Sequence, residues 1–186
     1  DKDTSGLIVV AKNNQAHSHL SEQFSNHSIK RKYVALIWGV VRPLSGKITT
    51  LISRSKKNRQ LMSVSERLGK KAVTNYKTLK TFSSKEIPKI SLVECVLETG
   101  RTHQIRVHLA FKGNPLIGDR KYGKKQTKFR KVNQEFEKIL FDFDRQALHA
   151  KSLGLVHPTK NSFLNFDSKL PYDFKKMLDF LDKFSN

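Results

Sequence analysis

Between Arg101 and His108 the chain places two arginines, two histidines and a glutamine within eight positions. Guanidinium groups can hold a carboxylate ionised or grip a phosphate, and imidazole and carboxamide groups add directional hydrogen bonds. A second group stands far away in the sequence, in Asp1-Lys2-Asp3-Thr4-Ser5-Gly6. There a carboxylate precedes a Thr-Ser-Gly turn that feeds an apolar run. Acids are scarce, 16 Asp and Glu against 36 Lys and Arg, so a carboxylate at such a place needs a reason beyond capping a turn.

The formal charge of +20 points to a polyanionic partner, nucleic acid before membrane; the bland reading is a solvated basic surface. At 186 residues and 37% hydrophobic content, one domain with a real core is expected over residues 1–186. The one cysteine, Cys95, excludes an intramolecular disulfide and a Cys-rich zinc site and fits a reducing, cytoplasmic setting. No apolar run is long enough to span a bilayer. His17 and His19 are two apart on an expected helix, and His103 and His108 five apart. Both are poor ligand pairs, and no metal is expected.

The elements that must position these groups follow from periodicity. Leu7 to Ala11 is expected to be a buried strand. Asn13 or Asn14 caps a helix whose buried stripe is Ala16, Leu20 and Phe24. Lys32 to Val41 is expected as a long strand. Ser53 to Lys71 is polar and basic, a mobile connection or hairpin. Ala72 to Thr81 and Ile90 to Glu98 are expected to pair across a turn at 83–86. Thr102 can cap a helix through Gln104 to Phe111, stopped by Gly113-Asn114-Pro115. A second basic loop covers Lys121 to Lys131, followed by an amphipathic helix around Phe136, Ile139 and Leu140. Ala147 to His157 is a strand. Pro171 opens a final helix with Phe174, Met177, Leu178, Leu181 and Phe184 at helical spacing. The class is α+β, with a mixed, largely antiparallel sheet flanked by helices.

The two reactive segments together resemble the RluA-like pseudouridine synthases, which isomerise uridine within RNA. The family's His-Arg-Leu-Asp-x-x-Thr-Ser-Gly is matched from the aspartate onward by Asp1 to Gly6. All seven residues of its Gly-Arg-Thr-His-Gln-Ile-Arg are present from Gly100 to Arg106. Lys32-Tyr33-Val34-Ala35-Leu36, Pro115 to Asp119 with Tyr122-Gly123, and Arg145 to Ala150 with His157-Pro158 extend the likeness along nearly the whole chain.

The resemblance implies the pseudouridine synthase type of catalytic fold and roles for named residues. The spacing makes Asp1, not Asp3, the catalytic carboxylate, as nucleophile or as base. Tyr33 would stack on the uracil, a contact worth about 1–3 kcal/mol, although an ordinary strand tyrosine is the competing reading. Arg101 would pair with Asp1. Thr102, His103, Gln104 and Arg106 would shape the pocket or meet RNA, and Arg106 could equally be a solvated helix residue. Lys121, Lys124 and Lys125 would grip the RNA backbone. No cofactor is implied, the expected partner is ribosomal or transfer RNA, and a monomer is expected. The family's His-Arg-Leu precedes the aspartate, so a fragment of a longer protein is expected, which leaves its activity alone open. The alternative is a catalytically inactive RNA-binding domain on the same fold; a basic ribosome-associated structural protein would explain the charge but not Gly100 to Arg106.

Overall fold

The computed structural model describes residues 1–123 and 133–184. In chain order the elements are β1 (Ser5–Gly6), α1 (Asn14–Ser25), β2 (Lys30–Trp38), β3 (Ser45–Arg54), β4 (Met62–Ser65), β5 (Lys70–Phe82), β6 (Ile90–Leu97), α2 (Gln104–Phe111), α3 (Gln134–Asp142), β7 (Leu148–Val156), β8 (Phe163–Asp167) and α4 (Tyr172–Leu181), closed by a short 3-10 turn. The strands form one sheet in the order β1-β7-β2-β6-β5-β3-β4, with β8 also on β7. The β1–β7 pairing is parallel and the others antiparallel. This is the expected mixed, largely antiparallel α+β class.

Strand β2 shows why its apolar run is continuous. Val34 and Leu36 point into a cluster built with Phe136 of α3 and Phe174, Met177 and Phe180 of α4. Ala35 and Ile37 point to the other face, against Ile105 and Leu109 of α2. Side chains alternate along a strand, so a sheet covered on both faces needs apolar residues at every position. Cys95 lies in the second cluster, where burial pushes its thiol up to about 12. It is a core residue and not a reactive one.

Two expectations are corrected. Leu7 to Ala11 is not a buried strand: the ladder stops at Gly6, and Ile8 and Val10 stand 86% and 75% exposed. The edge of β7 that such a strand would follow is occupied from Ser152 onward by β8. In α1, Leu20 is buried but Phe24 is not. Gln23 takes the inward place because its amide bonds both the carbonyl and the N–H of Val156, at 2.9 and 2.8 Å. Of the two readings of the basic stretch from Ser53 to Lys71, the hairpin is the one built: it forms the end of β3, all of β4 and the start of β5. Asn13 does cap α1, accepting from the Ala16 N–H at 2.8 Å, and Asn133 caps α3 in the same way.

Candidate active site

Asp1 opens a tight turn. The Thr4 N–H donates to the Asp1 carbonyl at 3.3 Å, and Asp3 takes a left-handed φ of 68°. Gly6, at φ 101°, must be glycine, since a β-carbon there would overlap the Ala150 carbonyl where β1 meets β7. The turn is then stapled by the segment that leads into β7. Gln146 Nε2 donates to the Lys2 carbonyl at 2.7 Å and to Thr4 Oγ1 at 3.1 Å. Arg145 Nη1 donates to the Asp3 carbonyl and to Ser5 Oγ, while its Nε and Nη2 form a fork onto Asp173 of α4 at 2.7 and 2.8 Å. Ser5 Oγ also lies 3.0 Å from His149 Nδ1. The turn therefore inherits its position from the sheet and from α4.

The carboxylate of Asp1 is met by Arg106 of α2. Nη1 of Arg106 lies 3.5 Å from Asp1 Oδ2, while its Nε and Nη2 fork onto Asp119 at 2.8 Å each. The Arg106 side chain is 5% exposed, that of Asp119 0% and that of Asp1 18%. Tyr122 lays its ring 5.0 Å from the guanidinium, and its hydroxyl accepts from the Met62 N–H at 2.9 Å and sits 2.7 Å from His103 Nδ1. Burial pushes the Asp119 carboxyl up, but the Arg106 fork and the N–H groups of Tyr122 and Lys121 outweigh it and hold the group below its ordinary range. Arg106 is thus a cation fixed on one side so that its remaining N–H groups point at Asp1.

This corrects the expected pairing of Asp1 with Arg101. Arg101 precedes α2, and its Nε donates to the Lys71 carbonyl at 2.9 Å. It lines the same cavity as Asp1 but makes no ion pair among the described residues. Arg106, a turn into the helix, has the position that reaches the carboxylate. Nor is Arg106 a solvated helix residue or an exposed RNA contact.

The other residues of the motif divide by use. Thr102 is exposed and does not cap α2. His103 stands at the N-cap with φ 56° and no capping bond from its side chain. Burial, and then the charge of Arg106, lower the His103 pKa to about 4, so its ring is neutral at physiological pH. Gln104 is 3% exposed and fully committed inside. Its Oε1 accepts from Thr99 Oγ1 at 2.7 Å and the Arg101 N–H at 3.0 Å, and its Nε2 donates to the Val73 carbonyl and Thr74 Oγ1. It braces the loop that carries Arg101 and is not free to grip RNA. Lys121 is exposed; Lys124 and Lys125 lie outside the described residues.

A cavity of about 280 Å³ joins these parts, with Asp1, Thr4, Tyr33, Arg101, Ile105 and Leu148 among its walls. The β2–β7 ladder skips Lys151 of β7 between the partners of Lys32 and Tyr33, while β2 itself runs unbroken; Tyr33 keeps the face of Ala35 and Ile37 and lines the cavity. The ring is half-buried, and burial raises its phenol pKa, so the hydroxyl stays protonated. The cavity offers an aimed carboxylate, an aromatic face and a guanidinium. No group of three His, Cys, Asp or Glu side chains suited to a metal occurs among the described residues, and no helix there is long and apolar enough to cross a membrane.

Asp119 and Tyr122, which hold Arg106, were visible in the sequence only as part of a matched stretch. Their service to the arginine depends on a contact across the fold. Arg145 and Gln146 carried the same weak signal.

Comparison with known proteins agrees with this geometry. A family described as RNA pseudouridylate synthase matches residues 1–111. The uncharacterized RNA pseudouridine synthase YlyB of Bacillus subtilis is 44% identical over 183 residues, which are 98% of this chain and 54% of that protein. Ribosomal large subunit pseudouridine synthase D of Zymomonas mobilis is 42% identical over 97% of this chain and 54% of its own length. The chain therefore spans about half the length of the curated relatives it matches. Among solved structures, human RNA pseudouridylate synthase domain containing 4 superposes with a TM-score of 0.76 at 28% identity, over 98% of this chain and 73% of that one. With a carboxylate, a tyrosine and an arginine-rich motif gathered at one cavity and likenesses that run the length of the chain, this chain belongs to the RluA-like RNA pseudouridine synthases.

Proposed function

We propose that the protein containing this chain converts uridine in ribosomal or transfer RNA to pseudouridine, without a cofactor, at the cavity between β1, β2 and α2. The observation that carries the proposal is the Asp1 carboxylate held by Arg106 within a cavity that Tyr33 also lines. The Arg106 guanidinium, anchored on Asp119, stands as a fixed cation beside that carboxylate and gives it a direction. Asp1 then acts at the ribose, as nucleophile or base, while the bond from C1′ to N1 breaks. Tyr33 stacks on the freed uracil as it turns. A new bond joins C1′ to C5, the C5 proton leaves, and N1 gains one. Arg106 is assigned as the residue that aims Asp1. Arg101 lies on the cavity wall with its outer N–H groups available to substrate.

The test is tritium release from RNA labelled at uridine C5, using the full-length protein. Wild type releases tritium. Asp1→Asn loses turnover by on the order of a thousandfold or more, with RNA affinity close to wild type because affinity comes mainly from phosphates. Arg106→Lys, which cannot form both halves of the fork, lowers kcat more than Arg101→Lys does. Wild-type protein that binds RNA without releasing tritium would establish the alternative, an RNA-binding domain without catalysis. A larger kcat loss from Arg101→Lys would return the aiming role to Arg101.

A further inference from the structure

Arg31, on β2 two residues before Tyr33, is 9% exposed. Among the described residues it makes no hydrogen bond or ion pair, and its Nε is buried without a partner. Buried donors are otherwise nearly always satisfied. The two acids on and just beyond β6 pair elsewhere: Glu94 with Lys32 at 3.0 Å and Glu98 with Lys47 at 2.8 Å. Instead Arg31 sits 5.5 Å from the Phe24 ring and in the field of a second cation, Arg101.

The fold makes room for this. A β-carbon at Gly100 would overlap Arg31 Nη1, so the first glycine of the Gly100–Arg106 motif is the floor on which the guanidinium rests. Arg31 also lines a second cavity, of about 180 Å³, whose walls Leu7, Ile8, Tyr33 and Ala150 are shared with the cavity that holds Asp1. The two hollows are neighbours with Tyr33 between them.

We propose that Arg31, assisted by Arg101, binds one phosphodiester of the RNA next to the target uridine. This rests on the reading of RNA as substrate. The planar fork of arginine matches a phosphate, and two adjacent guanidiniums without a carboxylate select an anion. A uridine seated against Tyr33 must send its backbone out across a shared wall, and the Arg31 hollow lies across one. Phe24 stands 5.5 Å from the guanidinium and, with its burial, limits the freedom lost on binding.

The experiment uses the full-length protein and uridine-containing RNA stem-loops drawn from ribosomal and transfer RNA. Each phosphate within about three nucleotides of the target is replaced singly by a neutral methylphosphonate, and Kd is measured. Loss of one charged hydrogen-bonded contact is expected to weaken wild-type binding roughly ten- to hundredfold at one position. Arg31→Gln binds unmodified RNA more weakly by a similar factor, its salt slope falls by about 0.7–0.9, and the sensitive position becomes indifferent to methylphosphonate. Arg31→Lys retains most of the salt slope and loses part of the affinity. Should Arg31→Gln fail to fold, the wild-type scan and Arg31→Lys decide the matter. Absence of any sensitive phosphate beside the target, or unchanged sensitivity in a folded Arg31 variant, overturns the proposal. Tritium release is read in parallel. A phosphate footprint without release sinks the catalytic reading and leaves this site standing; release without a footprint does the reverse. Failure of wild type to bind RNA removes both.

Discussion

Arg106 and Arg31 are both buried arginines at the edge of one cavity system, and they are treated in opposite ways. Arg106 has a carboxylate on each side, Asp119 in a 2.8 Å fork and Asp1 at 3.5 Å. Arg31 has no carboxylate and no hydrogen bond among the described residues, only the faces of Phe24 and Gly100. Removing a charge from water costs several kcal/mol unless the protein compensates it. Compensation inside the fold makes a cation part of the scaffold, able to aim another group. Compensation withheld leaves the cation ready for a ligand.

The largest expected effect comes from making Arg106 resemble Arg31. Asp119→Asn removes the buried fork partner and leaves the guanidinium only the longer, part-exposed contact with Asp1. It should lower unfolding free energy by about 3–5 kcal/mol, measured by denaturant titration at pH 7. It should also reduce kcat, because Asp1 loses its fixed partner. A loss below about 1 kcal/mol would mean that the Asp119 fork is not what anchors Arg106.

A middle-sized effect comes from His108, which tests whether full internal bonding also governs a neutral group. His108 is 0% exposed, and its two ring nitrogens lie 2.9 Å from Thr74 Oγ1 and Thr50 Oγ1. Burial lowers its pKa to about 4. The folded state therefore resists protonation that the unfolded chain accepts near pH 6.5. This contribution is fully present above about 6.5 and is lost as pH falls toward 4. It amounts to on the order of 3 kcal/mol. His103 adds to the same window, whereas Asp119, whose folded pKa is lowered, contributes above about 3.9 and is lost only below that. Unfolding titrations of wild type and His108→Gln between pH 7 and 4 should show a shallower decline in the variant. Parallel curves would show that His108 already carries its proton in the fold.

The smallest expected effect is the most discriminating. Arg31→Met keeps apolar bulk and removes a charge that no carboxylate or hydrogen bond in the described fold compensates. Its stability should change by less than about 1 kcal/mol, or rise, by thermal unfolding of the free protein. A loss near that of Asp119→Asn would show that Arg31 has a partner in the fold and is scaffold after all.

Much of the architecture was legible because it rests on local periodicity. The continuous apolar run of β2, the spacing of Phe174, Met177 and Leu181 in α4, and the Asn13 cap are properties of neighbours in the chain. Where such signals failed, a distant segment intervened. Leu7 to Ala11 has strand composition, but β8 holds the edge that it would need. Phe24 has helical spacing, but the Gln23 amide claims the inward direction by bonding Val156.

The site divides along the same line. The sequence by itself determined which residue types are present and that Asp1 begins a Thr-Ser-Gly turn, since turn geometry and motif spacing are local. It also marked Gly100 to Arg106 as the segment that answers that aspartate. Only the tertiary structure decided which arginine does so. Asp1 and Arg106 are 105 positions apart, and their meeting depends on α2 beginning at Gln104 behind a left-handed His103. It depends equally on Lys71 taking the Nε of Arg101, and on the turn at Asp1 being stapled by Arg145 and Gln146. The isolation of Arg31 is of the same kind. Nothing in Lys30-Arg31-Lys32 distinguishes the middle residue, because burial and the absence of a partner belong to the surroundings of a side chain, and only folding creates those surroundings.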